Sequence, residues 1–493
     1  MIVSYSNSVV FRRWAFWSCV LFVLFWITPE LWARLGGGGG YSGGGGSGSS
    51  GGGGDGGEVI MWLIIHWFRF CWYYPYIGVP ITIWAGWKFH KAKEDWQEPS
   101  RVVARQSPVK WDRLREKDSN FSIVLFRDFA YSIFARLHEA RGAGKLGNYR
   151  QYIHDGPLRS LEKLTPESVN LKDVHGVVIG GLRIKEVRIR NDNARVKLIY
   201  EANYTEVTDK GEQGVYTHQV WLLVRRADVL SPPPDKISTL TCAGCGSPAE
   251  TKPDGECTFC GKRFERGEHH WYVSHIQEND RRIVGPPLTS AVDDVGLDLP
   301  TVYSENLEKE IKRLEAEHPD FNRSRAQARF RHVFETLQNA WTKRDLNALR
   351  PFETDNLFQN HRYWIEEYSR QRLSNVLKKI ELEKMKVVRV QSDKFYDAMT
   401  CRLWVKMIDY TVDDSGALIC GSKTKSKRFS EYWTFIRGRG VSECKHNDKS
   451  CPSCGANLKI SMSGICEYCD TKVTSGDFNW VLSEIQQDEE YTG

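Results

Sequence analysis

The sequence predicts an α+β protein: two similar domains in tandem, carried on an N-terminal membrane anchor. Three observations predict this class. A four-cysteine stretch occurs twice at one fixed offset, helix-period segments precede strand-period segments in both halves, and long uncharged aromatic runs crowd the first ninety residues. A chain of 493 residues is long enough for two or three domains, and its net charge of +6 is too mild to argue for nucleic acid.

The first element, residues 1–35, holds "WAFWSCVLFVLFWIT" from Trp14 to Thr28, led by Arg12 and Arg13. Its length suits a signal-peptide core as well as a signal anchor, and both readings stand. Residues 36–57 are almost wholly Gly and Ser, a composition that buries no apolar surface and predicts a flexible external loop. Residues 58–88 form the expected transmembrane segment. The run from Val59 to Trp87 would measure about 43 Å as a straight helix against a hydrocarbon core of about 30 Å. It carries His66, Arg69, Pro75 and Pro80, so a tilted or kinked span with Arg69 near an interface is expected. Lys88, Lys91 and Lys93 follow, and the positive-inside rule puts everything beyond them in the cytoplasm. The neck, 89–118, continues the basic excess through Arg101 and Arg105. These five cations are the candidate contacts to anionic head groups, with an ordinary solvated linker as the alternative.

The first domain is expected over 119–280. Phe121, Leu125, Phe129, Ile133 and Leu137 share one helical face, behind a cap at Ser119-Asn120 and ahead of a stop at Gly142. A second helix over 147–164 and strands from 182 onward complete the pattern. Residues 281–318 read as a linker with an exposed charged helix, "ENLEKEIKRLEAE". The second domain, 319–490, repeats the plan. Ala326, Phe330, Val333, Leu337 and Trp341 share a face, and "EYWTFIR" answers "QVWLLVR" in the first half, as Asp409-Tyr410-Thr411 answers Asn203-Tyr204-Thr205. A repeat of this size predicts duplication of a whole domain.

Each domain carries a ribbon between its last two strands, 240–262 and 449–472. Cys242, Cys245, Cys257 and Cys260 form two C-x-x-C pairs, and Cys451, Cys454, Cys466 and Cys469 match them thiol for thiol 209 residues later, as does Trp480 with Trp271. Two such pairs on a short hairpin aim four sulfurs at one point, a tetrahedral set suited to Zn²⁺. Four thiolates leave no open position, so two structural ions are expected, one per ribbon. Disulfides or redox pairs do not account for identical spacing in both copies, and reduced thiols agree with the cytoplasmic side. Gly246, Gly261 and Gly455 follow knuckles where a tight turn calls for positive φ.

The stretch "HPDFNRSRAQARFRHVFETLQNAWTKRDLNALRPFETDNLF", with "YWTFIR" and a ribbon ending in "FNWVLSEIQQD", resembles the Tim44-like domain, in a bacterial branch that bears zinc ribbons. The resemblance covers most of the chain from 36 onward and is strongest over 319–490. It implies cone-shaped folds of the cystatin-like, nuclear-transport-factor-two-like kind. It also implies a membrane-associated scaffold that binds lipid, or another membrane protein or peptide, and is associated with transport rather than catalysis. The alternative is an enzyme acting on a small apolar ligand in the conical pocket, with Asp128, Tyr131 or His138 as its groups. Nucleic acid is not an expected partner, because acids and bases nearly balance in the first ribbon.

Overall fold

The computed structural model describes residues 109, 111–166, 169–232, 256–263, 266–283, 297–441 and 449–488, a few single residues beside these, and scattered positions between His66 and Trp84. The expectations for residues 1–57, and for the neck cations Lys88, Lys91, Lys93, Arg101 and Arg105, lie outside the described residues. Among the described residues no helix is long and apolar enough to cross a membrane.

Two lobes follow, within one compact unit. The first has α1 (Asp112–Lys117), α2 (Ile123–Gly142), α3 (Asp155–Glu162) and strands β1 (Leu171–Arg190), β2 (Asn193–Thr208), β3 (Gly211–Arg226) and β4 (Tyr272–Ile283). The second has α4 (Leu307–Glu317), α5 (Arg323–Lys343), α6 (Leu346–Leu349), α7 (Asp355–Arg370) and strands β5 (Leu373–Ser392), β6 (Tyr396–Asp413), β7 (Leu418–Gly421), β8 (Lys427–Gly438) and β9 (Val481–Gln487). Both sheets are antiparallel, ordered β1-β2-β3-β4 and β5-β6-β8-β9, with β7 beside β6. The architecture is mixed α+β, as expected. The ribbon stretches lie between β3 and β4 and between β8 and β9.

Each long helix crosses the first strand of its sheet. The faces read from the sequence are the buried ones: Phe129, Ile133 and Leu137 in the first core, Ala326, Phe330, Val333, Leu337 and Trp341 in the second. Gly142 does close α2, and for a steric reason: a Cβ there would fall 2.0 Å from the Val174 nitrogen on β1. The cap is Ser122, just beyond the expected pair. Ser122 Oγ accepts from the Leu125 N–H at 3.2 Å, while Asp118 takes the Asn120 N–H at 3.0 Å. The helix expected over 147–164 is split. A short 3₁₀ turn covers Leu146–Tyr149, and α3 begins only after Ile153 has paired with Val273.

The domain edges also differ. Trp111 and Leu114 are buried in the first core, so the body begins inside the expected neck. The charged helix of the expected linker is α4, whose Ile311 and Leu314 are buried in the second core. Leu307, Ile311 and Leu314 are few among so many charges, but at spacings of four and three they share a face, and that face lies on β5. Strand β1 starts well before residue 182, and β1 and β5 each run for 20 residues. Register shifts in both, at His175/Val178 and Ile179/Gly181 and at Lys378/Glu381, interrupt the alternation that marks a strand in sequence.

The lobes meet along a seam. Leu125 of α2 packs with Tyr396, Ile436 and Val481, and Val178 of β1 joins the second core. Asn356 Nδ2 of α7 donates to Asp128 Oδ1 at 2.7 Å, Asn360 Nδ2 to the Ile179 carbonyl at 3.4 Å, and Arg127 pairs with Glu484 of β9. Phe126, Ala130 and Phe134 of α2 belong to the first core, while Leu125 packs on the second lobe, so α2 carries apolar residues on more than one side.

Candidate metal centres

The second cysteine cluster is fully described. Cys451, Cys454, Cys466 and Cys469 have their sulfurs within 4.8 Å of one another, with Cys451 and Cys469 3.8 Å apart. In the first cluster Cys245, Cys257 and Cys260 meet the same limit, with Cys245 and Cys257 3.9 Å apart. Cys242 lies outside the described residues. A disulfide would hold sulfurs at about 2.05 Å. Four sulfurs at about 2.3 Å from a tetrahedral ion stand about 3.8 Å apart, which is the spacing found. Both clusters can hold a metal ion.

Local hydrogen bonding sets that spacing. In the knuckles the residue after the second cysteine donates back to the carbonyl of the first: Gly261 to Cys257 at 3.0 Å, Gly455 to Cys451 at 2.9 Å and Asp470 to Cys466 at 3.0 Å. The first cysteine's N–H is held in turn by the carbonyl beyond the turn, that of Lys262, Ala456 or Thr471. This turn needs positive φ at its last residue, +68° at Gly261, +75° at Gly455 and +55° at Asp470. Two glycines were legible as turn residues. Asp470 was not, although aspartate is among the few side chains that tolerate this region. The Thr471 hydroxyl, 3.3 Å from Cys469 Sγ, helps hold that thiol down to about 6, so a thiolate is ready for a cation.

Each ribbon is fastened to its lobe in the same two ways. The first is a pair of cations on the opening aspartate of α3 or α7. Asp155 takes Arg150 at 3.0 Å and Arg266 at 3.2 Å; Asp355 takes Arg350 and, at 2.6 Å, Lys472. The second is the tryptophan after the ribbon. The Arg225 guanidinium lies 4.7 Å from the Trp271 ring, and that of Arg437 lies 4.9 Å from the Trp480 ring. These arginines end "QVWLLVR" and "EYWTFIR", and both are almost fully buried. Arg225 pairs with Asp118 at 2.7 Å, and Arg437 with Asp397 at 3.5 Å, where His318 also reaches at 3.0 Å. The matched strings pointed at these arginines, but nothing local revealed their carboxylate partners.

The groups named for the enzyme alternative do not converge. His138 is buried against Phe134 and Tyr204, and burial pushes it well below its ordinary value. Asp128 and Tyr131 face the seam. Tyr131 lines a polar cleft there with Arg183, Asn356, Asn360 and Glu484. His270 stacks on Tyr152 and is pushed down to about 4 by burial; neither it nor His269 belongs to a cysteine cluster. Cys444 and His446 lie outside the described residues.

Two α+β lobes, each with a thiol cluster able to hold a metal between its last two strands, define the class. Residues 307–447 match the Tim44-like domain family. The match opens on the first residue of α4 and closes before Cys451, so the second thiol cluster and β9 lie beyond it. No curated protein matches the chain.

Proposed function

We propose that this chain is a membrane-anchored, non-enzymatic binding scaffold, held in shape by two structural zinc ions, that engages lipid and another membrane protein or peptide in a transport-associated role. The observation that carries the reading is the gathering of the described thiols at tetrahedral spacing, with the tryptophan that follows each ribbon stacked on a buried arginine of the lobe. Metal so placed serves architecture, since four thiolates leave no coordination position for chemistry. Zinc suits the all-sulfur donor set, and Cys242 completes the first.

The two lobes are read as a duplication. The paired features behind this are the strand order, the ribbon position, the Arg–Trp stacks and the parallel bridges Ile153–Val273 and Glu353–Leu482. The anchor at 58–88 in the bacterial inner membrane, the external glycine loop, the cytoplasmic lobes and their conical form belong to the same proposal. It draws on the positive-inside pattern and on the Tim44-like match.

Affinity purification of the tagged full-length chain from native membranes, with protein and lipid identification, tests the reading. Co-purification of a defined membrane protein or lipid at fixed stoichiometry is expected. Recovery of nothing specific, together with no lipid in native mass spectrometry, would overturn it.

A further inference from the structure

We infer that the second metal centre is a clip on the seam: metal bound by Cys451, Cys454, Cys466 and Cys469 holds α7 and β9 where they grip the first lobe. The inference rests on the reading of that cluster as a metal site.

Two of the elements that reach across the seam, α7 and β9, are fastened to this ribbon. At the start of α7, Arg350 binds the Met462 carbonyl at 2.9 Å and the Glu353 carbonyl at 2.9 Å while pairing with Asp355. Lys472, three residues after the last thiol, spans from the Ser463 carbonyl at 2.6 Å to Asp355 Oδ2 at 2.6 Å. The hairpin between the knuckles is therefore pinned to the first residue of α7. The next residue, Asn356, holds Asp128 of the first lobe, and one turn on Asn360 holds the Ile179 carbonyl. On the other side, the ribbon runs through Trp480 directly into β9, whose Val481 packs on Leu125 and whose Glu484 pairs with Arg127. The Glu353–Leu482 bridge ties the base of α7 to β9.

The clip leaves no slack. Gly464, at φ +78°, sits so close that a Cβ would fall 2.2 Å from Thr474 Oγ1 and 2.4 Å from Arg350 Nη2. A ribbon this short has little apolar core of its own, so losing the ion releases the hairpin and, with it, Lys472 and the Met462 carbonyl that holds Arg350. Asp355 then keeps no fixed partner from the ribbon, and α7 and β9 lose their common support.

Hydrogen exchange of the full-length chain, with metal content measured on the same samples, tests this. In Cys454→Ser/Cys469→Ser, one metal per chain is lost and peptides covering 123–131 and 176–184 of the first lobe exchange at least tenfold faster. Because that variant disturbs the second lobe itself, Lys472→Met serves beside it. It keeps all thiols and both metals, and the same first-lobe peptides exchange several-fold faster. Wild-type protection of those peptides in the double variant, with one metal gone, overturns the clip and leaves the metal assignment standing. Wild-type protection in Lys472→Met removes the lysine from the mechanism. An unmodified chain without metal overturns the metal assignment, and the clip with it.

Discussion

At the scale of single residues, the buried arginines are the most consequential groups. Arg225 and Asp118 are almost fully buried, and Ser231 adds two hydrogen bonds to the same carboxylate, from its N–H at 3.0 Å and its hydroxyl at 2.7 Å. Removing the cation strands a charge in the core. Arg225→Ala is expected to cost about 3–5 kcal/mol in urea unfolding, and Arg225→Ala/Asp118→Asn appreciably less. A single substitution costing under about 1 kcal/mol would remove the pair from the account. Gly142 is the other sensitive position. Its missing side chain lets α2 touch β1, so Gly142→Ala should destabilise by about 1–3 kcal/mol despite alanine's higher helix propensity. A gain in stability would show that the contact relaxes freely.

At the scale of elements, α7 and the ribbon behind it set the behaviour of the seam. Burial, reinforced by the nearby Asp355 carboxylate, pushes Asp128 up to about 7 against the bonds from Asn356 and the fields of Lys472 and Arg127. A raised carboxyl in the docked state binds its proton more tightly than in the unfolded chain. Its contribution to stability is then complete below about pH 4 and fades as pH rises through 7. The melting temperature should therefore fall between pH 5 and pH 8, and Asp128→Asn should flatten that slope; an unchanged slope in the variant would exclude Asp128 as its source. The double substitution Cys451→Ser/Cys454→Ser should unfold the second ribbon and release one metal per chain, read by elemental analysis. Unchanged content would show those ligands to be misassigned. The ribbons were legible because their chemistry is local: four thiols at fixed spacing need no knowledge of the fold. Helix faces such as Phe330–Val333–Leu337 were legible for the same reason. The full lengths of β1 and β5 were not, since each bulge shifts the side-chain alternation by a residue. The roles of Asp128, Asn356 and Glu484 were hidden too, because their partners lie more than two hundred residues away in sequence for one pair and more than three hundred for the other.

At the scale of the molecule, the two lobes share one plan but are used differently. Both fasten a ribbon to a helix and a last strand, yet it is α7 and β9 of the second lobe that reach across to α2 and β1 of the first. The Tim44-like match covers the helices and strands β5 to β8 of that second lobe, and the thiols lie beyond it. For the proposed scaffold, the consequence is that metal sets the shape a partner meets. Elemental analysis of the full-length chain, purified without chelators, tests for metal in the ribbons most directly. Two zinc ions per chain are predicted; a chain that is folded and free of bound metal would contradict the account.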